Sequence, residues 1–130
     1  MFRLVKVLNG NIQYEVTKLP FSAGTTIKKG CPLVCLAGNA VAPTATAVPE
    51  YVALSDSADS TNGKIDAMII TEEMVFRVEY TGTMTPVCSM AVAMTNLKST
   101  MDAVTFNTSG KGIIIGFDDD KKTVYVRFRK

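Results

Sequence analysis

The sequence predicts an all-β domain: a small β-barrel or sandwich of about eight to ten short strands with little helix. Three observations predict it. Short apolar and β-branched runs recur at spacings near ten residues, Gly, Pro, Asn and Asp clusters separate them, and no segment requires a long helix. The 130 residues, 47% hydrophobic and 20% charged, suffice for one real core, so residues 1–130 are read as a single domain.

Residues 2–8 alternate weakly and read as a first strand. Asn9-Gly10 is the strongest hairpin signal in the chain, because both residues tolerate the positive φ that a tight turn demands. Ile12, Tyr14 and Val16 then fall on one face of a second strand, with Gln13 and Glu15 on the other, and Lys18-Leu19-Pro20 ends it. In the next stretch, residues 22–43, Gly24 and Gly30 bracket Thr25 to Lys29, and Gly30 is the natural site of a positive φ. Leu33 to Leu36 form an apolar strand, Gly38-Asn39 marks a two-residue turn, and Ala40-Val41-Ala42 return before Pro43.

Residues 43–49, Pro-Thr-Ala-Thr-Ala-Val-Pro, have no period and read as an extended surface segment. Residues 51–54 are a short strand, and residues 55–63 string together nine small or polar turn formers. Residues 65–70 read as a buried strand, with Thr71 to Met74 as one helical turn or a simple connection. Val75 to Tyr80 alternate cleanly: Val75, Arg77 and Glu79 on one face, Phe76, Val78 and Tyr80 on the other. Residues 86–101 fit a strand to about Met94 and then a loop, although Met90, Ala93, Met94, Leu97 and Met101 also recur at helical spacing. Residues 104–106 form a short strand, residues 109–112 a turn, and residues 113–117 and 123–128 a terminal hairpin.

Composition removes several chemistries. Histidine is absent, and with it the commonest general base and the commonest metal ligand. Glu72 and Glu73 are adjacent, so in a strand they point to opposite faces and make no acid pair. The three cysteines, Cys31, Cys35 and Cys88, lack the spacing and the fourth ligand of a structural zinc site. On one strand Cys31 and Cys35 would be roughly 13 Å apart, too far for a disulfide, so buried free thiols are expected. Asp56 and Asp59 lack the ligand pattern of a calcium loop, and Asp118 to Asp120 sit beside two lysines as a solvated turn. No enzyme, no cofactor and no metal are expected.

The formal charge is only +2 and the basic residues are dispersed, so no nucleic acid is expected. A barrel that binds a nucleic acid or another ligand is the alternative, but Arg77 alternates away from Phe76 and Tyr80. The first seven residues do not resemble a signal peptide, and no window approaches the roughly 18 apolar residues of a membrane helix, so no membrane is expected.

The order of elements resembles the small capsid decoration (head-stabilising) proteins of tailed bacteriophages. The residues that carry it are the Ile27-Lys28-Lys29-Gly30 turn, the Pro32-Leu33-Val34 strand, and Gly38-Asn39 leading into Ala40 to Pro43. The glycine- and polar-rich middle, the Ile113 to Phe117 strand and the closing Thr123 to Phe128 strand complete it. The resemblance implies a non-enzymatic structural protein, assembled in the host cytoplasm and carried on the virion. It implies the major capsid protein as partner, with self-association as a dimer or trimer. Some members dock through an extended terminal arm; only about eight residues precede Asn9-Gly10 here, so no long arm is expected. The edge strand Phe2, Arg3, Leu4, Val5, Lys6 and Val7 is the first candidate contact, with Arg3 and Lys6 guarding it against indiscriminate pairing. Pro43, Thr44, Thr46 and Pro49 are the second, because prolines reduce the entropy lost on binding.

Overall fold

The computed structural model describes residues 2–8, 12–41, 48–80, 91–94, 103–106, 112–118 and 120–128. Their order is β1 (Arg3–Val7), β2 (Val16–Pro20), β3 (Pro32–Leu36), β4 (Asn39–Val41), β5 (Tyr51–Ala53), a 3-10 turn (Ser57–Asp59) and β6 (Lys64–Ile69). There follow β7 (Met74–Tyr80), β8 (Ala91–Met94), β9 (Ala103–Phe106), β10 (Gly112–Asp118) and β11 (Thr123–Phe128). The domain is all-β, and its two sheets stack in a sandwich-like arrangement. One sheet runs β1-β7-β11-β10-β8-β9, and the other β2-β6-β5-β3-β4. The end strand β9 also bends back to a short parallel pairing with the tip of β7, Glu79 against Ala103 and Tyr80 against Val104.

The alternation of β7 is borne out. Met74, Phe76, Val78 and Tyr80 face inward and join Ile114, Val124, Val126 and Phe128 of the same sheet. Val52 and Met68 reach that core from the other sheet, and so cement the two layers. Phe2, Phe76 and Phe128 form an aromatic triad with ring centroids 5.7 to 6.2 Å apart, within the range where tilted and edge contacts add to simple burial.

The five-stranded sheet also buries its opposite face. Leu19, Ile65, Ala67, Ala53, Leu33 and Ala40 come from all five of its strands and share one interior, so the sheet is curled. Its edge strands β2 and β4 approach without being hydrogen-bonded as neighbours. Ile27 and Cys31, from the segment before β3, plug this second core. The plug is held by its backbone. Ile27 N–H donates to Ser57 Oγ (2.8 Å), Ser57 N–H donates to the Ile27 carbonyl (2.8 Å), and Lys29 N–H donates to Asp56 Oδ1. The polar run at residues 55–63 therefore latches this segment, and Asp56 is occupied as an acceptor. Gly30 takes φ of 84°, as its place in the sequence predicts. Its N–H donates to the Ala53 carbonyl (2.8 Å), and its own carbonyl accepts from Phe2 N–H (3.0 Å). One glycine thus ties the start of β1 to β5 of the opposite sheet.

Three local expectations need correction. Residues 9–11 lie outside the described residues, but the strands flanking Asn9-Gly10 are not hairpin partners: β1 pairs with β7, and β2 with β6 in the other sheet. The aromatic core claims Phe2 and so draws β1 away from β2. The strand expected over residues 12–16 begins only at Val16. The turn between β3 and β4 is Ala37-Gly38 rather than Gly38-Asn39: both take positive φ, 51° and 83°, and Asn39 already opposes Leu36 in the ladder.

The link over residues 71–73 is a simple turn, and the terminal hairpin is present as β10 and β11. Of residues 86–101, only 91–94 are described, and they form a strand. No helix among the described residues is long and apolar enough to cross a membrane.

Candidate partner-binding face

The outward face of the six-stranded sheet gathers residues that are far apart in sequence. Arg3 of β1 lies directly opposite Arg77 of β7, Arg77 opposite Tyr125 of β11, and Tyr125 opposite Gly116 of β10. Directly opposed like charges are unfavourable in a sheet, so Arg3 against Arg77 is a local cost. A row over, Lys6 opposes Val75, and Arg127 opposes Ile113.

Two bulges shape this face. The β1 register shifts between Leu4 and Lys6, and the β10 register between Ile114 and Gly116. A bulge bends its strand and re-aims a side chain. Val5 and Lys6 consequently line the same depression, with Val75, Ile115, Gly116 and Tyr125, enclosing about 260 Å³. Val75 is 0% exposed although it points away from the main core, because these neighbours cover it. Gly116 lies beneath the tyrosine ring, where a Cβ would stand in ordinary contact, 3.5 Å from Tyr125 Cδ2. The result is a shallow apolar centre with Arg3, Lys6, Arg77 and Arg127 around it.

Electrostatics tie the rim down. Arg127 Nε donates to the Glu72 carbonyl (3.0 Å). Burial alone would raise the Glu79 carboxyl, but a backbone hydrogen bond, then the N-terminal ammonium group and last the Arg3 guanidinium together outweigh it and hold the group below its usual range. Glu79 is therefore a carboxylate that offsets part of the positive rim. An apolar centre with tyrosine and arginine about it is the composition that concentrates binding energy in protein interfaces.

Several expected contact residues fall elsewhere. Phe2 is 3% exposed in the aromatic triad, and the half-buried Leu4 and Val7 pack against the same core, so these three hold β1 in place. Of the expected edge strand, Arg3, Val5 and Lys6 belong to the outward face. β1 does lie at the end of its sheet. Pro49 is buried beside β5 and is no exposed contact, while Pro43, Thr44 and Thr46 lie outside the described residues. Arg77, Tyr125 and Arg127 are not among the contact residues the sequence predicts. Alternation places each outward on its own strand, but only the β1–β7–β11 register makes them neighbours.

Other chemistry is sparse. Among the described residues, no three His, Cys, Asp or Glu side chains come together as a metal site. Cys31 is buried, its Sγ donating to the Pro32 carbonyl (3.3 Å), and Cys35 is half-buried at the edge of the second core. Burial pushes the Tyr51 phenol up, reinforced by Cys35 and Glu50 beside it. A second surface feature is an open groove of about 750 Å³ between residues 12–15 and the corner formed by Ile69, Thr71 and Met74. No protein-family model, curated protein or solved structure matches this chain.

Proposed function

We propose that this chain is a non-enzymatic structural protein that binds the outer surface of a phage capsid and stabilises it. The observation that carries the reading is the outward face of the six-stranded sheet: an apolar centre under Tyr125, rimmed by Arg3, Lys6, Arg77 and Arg127. Such a face suits a partner that offers carboxylates around an apolar contact, and charge of this sign speeds and orients docking. The resemblance to decoration proteins supplies the partner, the major capsid protein. Repetition over a symmetric shell then supplies avidity, so each contact can be weak.

The test is co-sedimentation of the purified protein with expanded heads. Saturable binding in a fixed ratio to the capsid subunit is expected. The double charge reversal Arg3→Glu with Arg77→Glu should weaken binding at least about tenfold while the melting temperature stays within a few degrees, since both side chains lie outside the core. Undiminished binding by that variant would remove the face from the docking site. The alternative, a small β-domain that binds a nucleic acid or another ligand, draws on Tyr125 standing opposite Arg77 in the ladder, an aromatic beside a phosphate-binding charge. Salt-dependent retardation of single-stranded oligonucleotides, with no capsid binding, would favour it and sink the decoration reading.

A further inference from the structure

Residues 12–16 carry an apolar stripe that the fold leaves uncovered. Ile12 is 55% exposed, Tyr14 47% and Val16 53%. In the sequence all three alternate with Gln13 and Glu15, and all five residues are exposed. The segment continues the line of β2 beyond its assigned start, and Ile69 N–H donates to the Glu15 carbonyl (3.0 Å) to fasten it to the end of β6. β2 is an edge strand, and β6 is its one strand partner among the described residues. An extended edge with a large apolar stripe is a template for a further strand.

The order of side chains says which strand. Run antiparallel to itself about Tyr14, the segment sets Ile12 against Val16, Tyr14 against Tyr14, and Gln13 against Glu15. Every apolar residue meets an apolar one. No two like charges oppose each other, and an amide that can donate faces each carboxylate. A two-fold interface requires this self-complementarity, because the same patch must serve on both sides.

We infer that residues 12–16 pair with the same residues of a second copy across a two-fold axis, with the two Tyr14 side chains at its centre. The contact is made by the segment ahead of β2, since β2 itself (Val16–Pro20) approaches β4. It uses none of the residues Arg3, Arg77 and Tyr125 of the outward face. A few half-exposed side chains make a small interface, below about 1,200 Å² in total, so the dimer is a weak one that gains from being held on a lattice.

Sedimentation equilibrium of the full chain in reducing buffer, carried to several hundred micromolar and without capsids, tests it. A reversible monomer–dimer equilibrium is expected, and Tyr14→Lys should weaken it at least about tenfold with an unchanged thermal transition. The register has its own readout. On mild oxidation Tyr14→Cys should give a disulfide-linked dimer, and so should a mixture of Ile12→Cys and Val16→Cys proteins. Ile12→Cys alone should match the unsubstituted protein. A chain that stays monomeric throughout the range, that forms trimers, or whose dimer ignores Tyr14→Lys overturns the inference. Each of these outcomes leaves the capsid co-sedimentation result standing.

Discussion

Replacing Phe76 with alanine should destabilise the domain by about 3–5 kcal/mol, the usual cost of deleting a buried aromatic ring. Phe76 is fully buried at the middle of β7, and its ring lies 6.2 Å from that of Phe2 and 6.1 Å from that of Phe128. The same residue pairs along the backbone with Leu4 on one side and Val126 on the other. The cavity would open between three strands that are pinned by their own ladders, so it has little freedom to collapse. Domains of this kind are stable by roughly 5–15 kcal/mol, so the variant would sit near the threshold of folding. In a thermal scan the transition should fall by about 10–20 °C. A loss under about 1 kcal/mol in urea titration would mean that the triad is not the centre of the core.

Gly30→Ala should cost about 2 kcal/mol or more, and Gly24→Ala distinctly less. Both glycines have positive φ, 84° and 87°, and an alanine in that region is strained by roughly 1–2 kcal/mol. Gly24 is exposed, and a Cβ there would meet nothing within 4 Å, so strain is the whole effect. Gly30 is buried, and its N–H and carbonyl hold Ala53 and Phe2. Relaxing the backbone to relieve the strain would break both bonds and leave buried groups unpaired, which adds a further penalty. Equal effects of the two substitutions in parallel denaturant titrations would show that Gly30 serves only as a turn residue.

What could be read in advance follows from what each pattern encodes. The Val75–Tyr80 alternation and the terminal hairpin were legible, because their information is local: a period of two, and a turn between strands that do pair. Gly30 was legible because a left-handed residue is written into the glycine itself. The pairing of β1 with β7 was not, since register across more than half the chain leaves no local mark. Alternation also fails to say which face is covered. The face carrying Ile12, Tyr14 and Val16 looks as apolar in sequence as the one carrying Phe76, Val78 and Tyr80, yet one is open and the other is core. The same gap leaves unread that Phe2 is core and Leu4 and Val7 pack against it, and it hid the face that Arg77 shares with Arg3 and Tyr125. The displacement of the turn from Gly38-Asn39 to Ala37-Gly38 has another cause: an alanine with positive φ gives no signal of its own, and only the Leu36–Asn39 pairing sets the turn.

The route of β1 across the molecule has a kinetic consequence. Hairpins such as β3–β4 and β10–β11 close short loops and can form within about 1–10 μs, whereas β1 must find β7 after most of the intervening chain is arranged. The N-terminal strand is therefore the last piece to arrive, and amide protection in β1 should lag that in β10 and β11 during refolding. Since β1 contributes Arg3, Val5 and Lys6, a chain stalled short of its final step lacks the complete outward face of the six-stranded sheet. Under the function proposed above, only finished molecules would then bind.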